Sequence, residues 1–138
     1  MAKPILPQGP KEQSILEYFK PKKAPFPPLL WHVLVQIPMP PEKIGSLFVP
    51  DDLRDSAAFA SFVGYVVAIG DFAYTAITKA GIDLNKIKRK PKVGDWIIFG
   101  KHAGEKFRVK DGTLFVLMAD TEVRGVIDNP DEYECIKL

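Results

Sequence analysis

Val93-Gly94-Asp95-Trp96-Ile97-Ile98-Phe99 is the stretch whose reading decides the fold of this chain. Gly94-Asp95 is a turn signal, because glycine enters backbone conformations closed to other residues and aspartate bonds its own nearby backbone. The apolar run after it predicts a strand over residues 95–100. Upstream, Gly64-Tyr65-Val66-Val67-Ala68-Ile69-Gly70 predicts another over 64–69, entered and left by glycine. Further upstream, Trp31-His32-Val33-Leu34-Val35-Gln36-Ile37 predicts a first strand over 30–37, apolar on both faces apart from His32 and Gln36.

Downstream, residues 106–109 and 113–119 flank Lys110-Asp111-Gly112, a tight-turn signal for a hairpin. Two short terminal strands are expected at 122–127 and 133–137, separated by Asp128-Asn129-Pro130-Asp131. Two long connections remain, 38–63 and 71–92. Short strands separated by turn signals predict an all-β chain built as a small antiparallel barrel.

The chain has 138 residues, enough for one domain with a modest core. A net charge of +2 is too small to argue for nucleic acid by itself. The single cysteine, Cys135, excludes an intrachain disulfide framework and fits a reducing compartment. No apolar run approaches the roughly 18 residues that span a bilayer, and the N-terminus carries no apolar signal-peptide region. A cytoplasmic protein without membrane association is the expectation.

Seven of the 13 prolines fall within the first 28 residues. Proline fixes φ and removes a backbone donor, so this segment is no sheet interior. Residues 1–28 therefore read as a Pro-rich arm preceding a barrel domain over 29–138. A short helix fits between Pro10 and Pro21, with Ile15, Leu16 and Phe19 on one face. The arm is either a loose tail or a strap that laces onto a neighbouring subunit through those three residues.

Within 38–63 sits a short apolar patch, Ile44-Gly45-Ser46-Leu47-Phe48-Val49-Pro50, where a polar linker is expected. Loops on rigid scaffolds often carry binding function, so the patch reads as an apolar finger for another protein. The alternative is a buried strand at Leu47-Phe48-Val49, with Asp51 or Asp52 capping a helix after it.

In order along the chain, Val33-Leu34-Val35, Gly45 to Pro50, Gly64 to Gly70, Val93 to Phe99, Gly112 to Met118 and Glu122 to Ile127 resemble the GroES co-chaperonin family. The resemblance covers roughly residues 30–128. It implies a GroES-like barrel with a mobile-type loop at 38–63 and a roof-type loop at 71–92. The departures are Ser46 where the family has a second glycine, a longer and more apolar stretch from Asp51 to Phe62, a longer 71–92, and the arm. Together these look like a bacteriophage-type variant.

The implied function is a non-catalytic lid that binds a GroEL-type chaperonin and closes its folding chamber. Leu47, Phe48 and Val49 would be the anchors, and Ile44, Gly45 and Ser46 would shape the loop. Burying such side chains contributes about 1.5–3 kcal/mol each, against several kcal/mol for ordering the loop. One finger alone binds weakly, whereas a ring of copies, seven in this family, gains through effective concentration. The strand at 133–138 would pair with a neighbour's first strand and close the ring. A second reading is a virion decoration or head-assembly protein contacting a major capsid protein.

His32 reads as a satisfied or half-exposed strand side chain and not a base, His102 has no cysteine or carboxylate at ligand spacing, and Cys135 lacks an activating neighbour, so no enzyme, metal or cofactor is expected. Lys86, Lys88, Arg89, Lys90 and Lys92 form a basic run. Such a run can neutralise phosphates, but no aromatic is interleaved with it. It reads as an exposed rim.

Overall fold

The strand His32–Ile37 is buried over its last five residues, 33 to 37, on both faces, and everything else is arranged around it. A computed structural model describes residues 14–39, 43–44, 47–48, 50 and 61–133 of the chain. Eight strands are described: β1 (His32–Ile37), β2 (Lys43–Ile44), β3 (Leu47–Phe48), β4 (Val63–Ile69), β5 (Trp96–Phe99), β6 (Glu105–Arg108), β7 (Leu114–Ala119) and β8 (Val123–Ile127). Six of them form one antiparallel sheet in the order β6-β7-β1-β4-β5-β8, and β2 pairs with β3 separately. The all-β, antiparallel architecture expected from the turn signals is the one observed.

Alternation along the strands gives the sheet two different faces. Val33, Val35 and Ile37 of β1 point inward with Val66, Ile97, Phe99, Leu114, Val116 and Met118, and these form the main core. Register shifts at Leu34/Val35 in β1 and Ile98/Phe99 in β5 curl the sheet around it. Gly64 is required there, since a Cβ at that position would run into the Val35 side chain and come within 3.0 Å of Phe99. The β6–β7 turn closes on Gly112 at φ 91, with the Val109 N–H donating to Thr113 O at 3.0 Å.

The outer face carries one continuous row. Ile127 pairs with Trp96, Trp96 with Tyr65, Tyr65 with Gln36, Gln36 with Phe115, and Phe115 with Phe107. The row therefore contains one residue from each of the six strands. The N-terminal segment from Ser14 to Phe26 lies across it. Ile15 and Phe19 pack with Val63, Trp96 and Ile127. The Phe19 ring sits 4.8 Å from Trp96 and 5.2 Å from Tyr65. Further along, Phe26 stacks on Phe107 at 5.6 Å, and Phe107 on Phe115 at 5.7 Å.

Polar clips hold the segment between these apolar contacts. The helical turn α1 (Ile15–Tyr18) is far too short to persist alone. Asp131 holds its start, accepting from Ile15 N at 2.7 Å and from the Ser14 hydroxyl. Gln36 is 5 % exposed and reads the arm's backbone, accepting from Lys22 N at 2.8 Å and donating to Lys20 O at 3.1 Å. That explains why an otherwise apolar strand holds one amide: a buried amide must be hydrogen-bonded, and the arm supplies both partners. The sequence offered a loose tail or a strap on a neighbour. In this structure Ile15 and Phe19 are used within the chain, and Leu16 is 53 % exposed.

Phe19→Ala removes the ring that bridges Trp96 and Tyr65. We expect a loss of about 2 kcal/mol, below the full cost of a buried Phe because the ring is partly exposed. A urea-melting midpoint checks it, and an unchanged midpoint would show that the arm does not stabilise the sheet.

Candidate partner-binding hairpin

After Ile37 the prolines at 38, 40 and 41 remove ladder donors, so β1 stops and the chain leaves the sheet. Its return is fixed at Ser61, whose hydroxyl donates to Val63 O at 2.8 Å, and at Phe62 O, which accepts from Phe99 N at 2.8 Å. Both legs of the 38–63 connection thus spring from β1 and β4, neighbours in the middle of the sheet. Between them the chain forms the β2–β3 hairpin, with Lys43 opposite Phe48 and Ile44 opposite Leu47.

Of the six expected finger residues, the hairpin brings Ile44, Leu47 and Phe48 together. Gly45, Ser46 and Val49 lie outside the described residues, as do the helix considered after Asp51 and the C-terminal residues 134–138. Phe48 is 75 % exposed, more than any other large apolar side chain described. The buried-strand alternative for this patch does not hold at Phe48.

The 71–92 connection, expected as a long roof-type loop, is a folded loop fastened to the core. Tyr74 and Leu84 are buried in it. The Asp120 carboxylate accepts from Tyr74 N at 2.8 Å, and the Tyr74 hydroxyl donates to Asp120 O at 3.0 Å. Burial, aided by the Asp120 charge, pushes the Tyr74 hydroxyl well above the usual tyrosine range, so it stays a donor. At the outer end, a bridge between Ile77 and Asp83 supports a tip at Thr78–Gly81, with Gly81 at φ 84. Sequence reasoning missed the Tyr74–Asp120 clamp. Its partners lie 46 residues apart, and no local pattern joins them.

The basic run is partly spoken for inside the chain. Arg89 binds Asp95 through both guanidinium nitrogens at 3.0 Å, and the carboxylate also accepts from Lys92 N at 2.8 Å. The Arg89 hydrogen bond, with the Lys92 N–H adding to it, holds the Asp95 carboxyl below the usual carboxylate range. This clamp sets the Lys92–Asp95 turn, where Gly94 adopts φ 98, and so aims β5. His32 is half-buried, with Nδ1 3.0 Å from Leu29 O, and stacks on Trp31. Among the described residues no three of His, Cys, Asp and Glu converge on a metal position, and no helix is long and apolar enough to cross a membrane.

A six-stranded antiparallel sheet curled on one core, with a two-stranded hairpin in one connection and a folded loop in the next, is a small all-β fold of the co-chaperonin kind. The chain belongs to the GroES co-chaperonin family. It is 33 % identical over 102 residues to the Co-chaperonin GroES of Desulforapulum autotrophicum, covering 73 % of this chain and 96 % of that protein. The Co-chaperonin GroES of Rhodothermus marinus is 29 % identical over 107 residues, 77 % of this chain and 95 % of that protein. That of Nitrosomonas eutropha is 35 % identical over 76 residues, 55 % of this chain and 72 % of that protein. No family model matches the chain.

Because the folded-state pKa of Asp95 is depressed, its stabilising contribution is full above the ordinary aspartate pKa of about 3.9. It is lost as pH falls through the lower folded value. Asp95→Asn should therefore melt lower at neutral pH and show a shallower loss of stability on acidification. Thermal melts between neutral and strongly acid pH check this, and parallel pH profiles would contradict it.

Proposed function

We propose that the chain acts as a lid: it binds a GroEL-type chaperonin through the β2–β3 hairpin and closes the folding chamber. The observation that carries this reading is Phe48, 75 % exposed on a hairpin in the connection between the two middle strands of the sheet. An exposed aromatic on a projecting hairpin suits an apolar groove on a partner better than it suits water. The relatives' name, co-chaperonin, supplies the class of partner.

In this reading residues 29–138 are the lid domain, residues 1–28 the arm that precedes it, and the role is non-catalytic. Leu47, Phe48 and Val49 dock, while Ile44, Gly45 and Ser46 shape the approach. Each finger is weak, so the lid works as a ring of identical copies, seven by analogy with the family. Effective concentration then multiplies modest contacts into a reversible seal.

Phe48→Asp tests it. Losing one buried aromatic per finger costs about 1.5–3 kcal/mol, so chaperonin affinity should fall at least tenfold while the melting temperature stays unchanged. Nucleotide-dependent binding to a GroEL-type chaperonin, measured by interferometry, reads the result. Undiminished binding would sink the proposal. A collapsed melting temperature would place Phe48 in a structural role instead.

A further inference from the structure

The outer row and the arm fit each other as receptor and ligand. Asp131 receives Ser14 and the Ile15 N–H, Trp96 and Tyr65 receive Phe19, and Gln36 reads the backbone at Lys20 and Lys22. None of these contacts depends on which copy of the chain supplies the arm. We propose that the arm is exchanged between copies: residues 14–26 of one subunit lie on the Ile127–Phe107 row of its neighbour. The proposal concerns self-association and is independent of chaperonin binding.

Three features of the connector favour exchange. Residues 23–28 include Pro25, Pro27 and Pro28, a composition that prefers an extended, semi-rigid course. Yet the chain bends at Pro25-Phe26 to bring the arm back over its own sheet. Just beyond, Leu30 is held at φ 57, a left-handed conformation that a branched aliphatic residue adopts only under constraint. Short hinges under strain invite swapping, because straightening the connector relieves the bend while every arm contact is kept.

The third feature is what surrounds the hinge. Leu29, Leu30, Trp31 and Phe72 are 73 %, 46 %, 47 % and 60 % exposed, and Phe72 N donates to Leu30 O at 3.0 Å, so they form one patch. An exposed apolar cluster of this kind marks a protein contact. A second copy seated there covers it and brings its own outer row within reach of the arm. Within such an assembly the neighbour's row is tethered as well, which removes much of the cis arm's advantage in effective concentration.

Lys22 and Asp111 allow a direct test. They approach to 3.9 Å, and their side chains are 51 % and 56 % exposed, so replacing them leaves packing intact. Chains carrying Lys22→Cys and chains carrying Asp111→Cys, both with Cys135→Ser, are co-expressed at full length and treated with a short bis-maleimide. Exchange predicts a cross-linked dimer containing one chain of each kind, absent when either chain is treated alone. A second pair, Leu16→Cys with Glu132→Cys, exposed residues beside the Ser14–Asp131 clip that leave it intact, must give the same product from the other end of the row. The proposal is overturned if the mixed dimer is missing at either pair.

Discussion

The structure depends on one lateral alignment: Ile127, Trp96, Tyr65, Gln36, Phe115 and Phe107 lie side by side across all six strands of the sheet. An isolated curled sheet of this size buries one face and leaves the other wet. Here the arm runs along this row across the second face and covers it. That is why Phe115, which points away from the main core, is 1 % exposed. Gln36 is the hinge of the arrangement. Its side chain offers one donor and one acceptor where apolar neighbours offer none, so it fixes the position of the arm's backbone as a strand partner would.

The strands were legible because their information is local. Val93 to Phe99, Gly64 to Gly70 and the Lys110-Asp111-Gly112 hairpin each combine a turn residue with an apolar run, and each folds as read. The order of motifs was enough to reach the GroES family. The arm's destination was not legible. Ile15 and Phe19 showed an apolar face, but a face does not name the surface it meets, and the residues that receive the arm come from five separate strands and the turn at Asp131. One signal was present in the sequence: Gln36 alone in an apolar strand implies a buried hydrogen-bonding partner. The exposure of Phe48 and the Tyr74–Asp120 clamp likewise depend on how distant segments meet. Periodicity is silent there.

The division of labour follows from these constraints. The clamps at Asp120, Asp95 and Gln36 secure the folded loop, the entry to β5 and the outer face. The β2–β3 hairpin springs from β1 and β4, the two middle strands of the sheet. A firm base under an apolar projection limits the ordering cost to the projection itself, which leaves more of the burial energy for binding. The same economy suits the proposed role of a lid that must also be released.

Hydrogen exchange on the full-length chain, read by mass spectrometry with and without a GroEL-type chaperonin and nucleotide, tests this account most directly. It predicts slow exchange in β1, β4 and the 14–26 segment in both states, with new protection at the β2–β3 hairpin when the chaperonin is added. Exchange at the hairpin that is unchanged by the chaperonin, while other segments become protected, would contradict it.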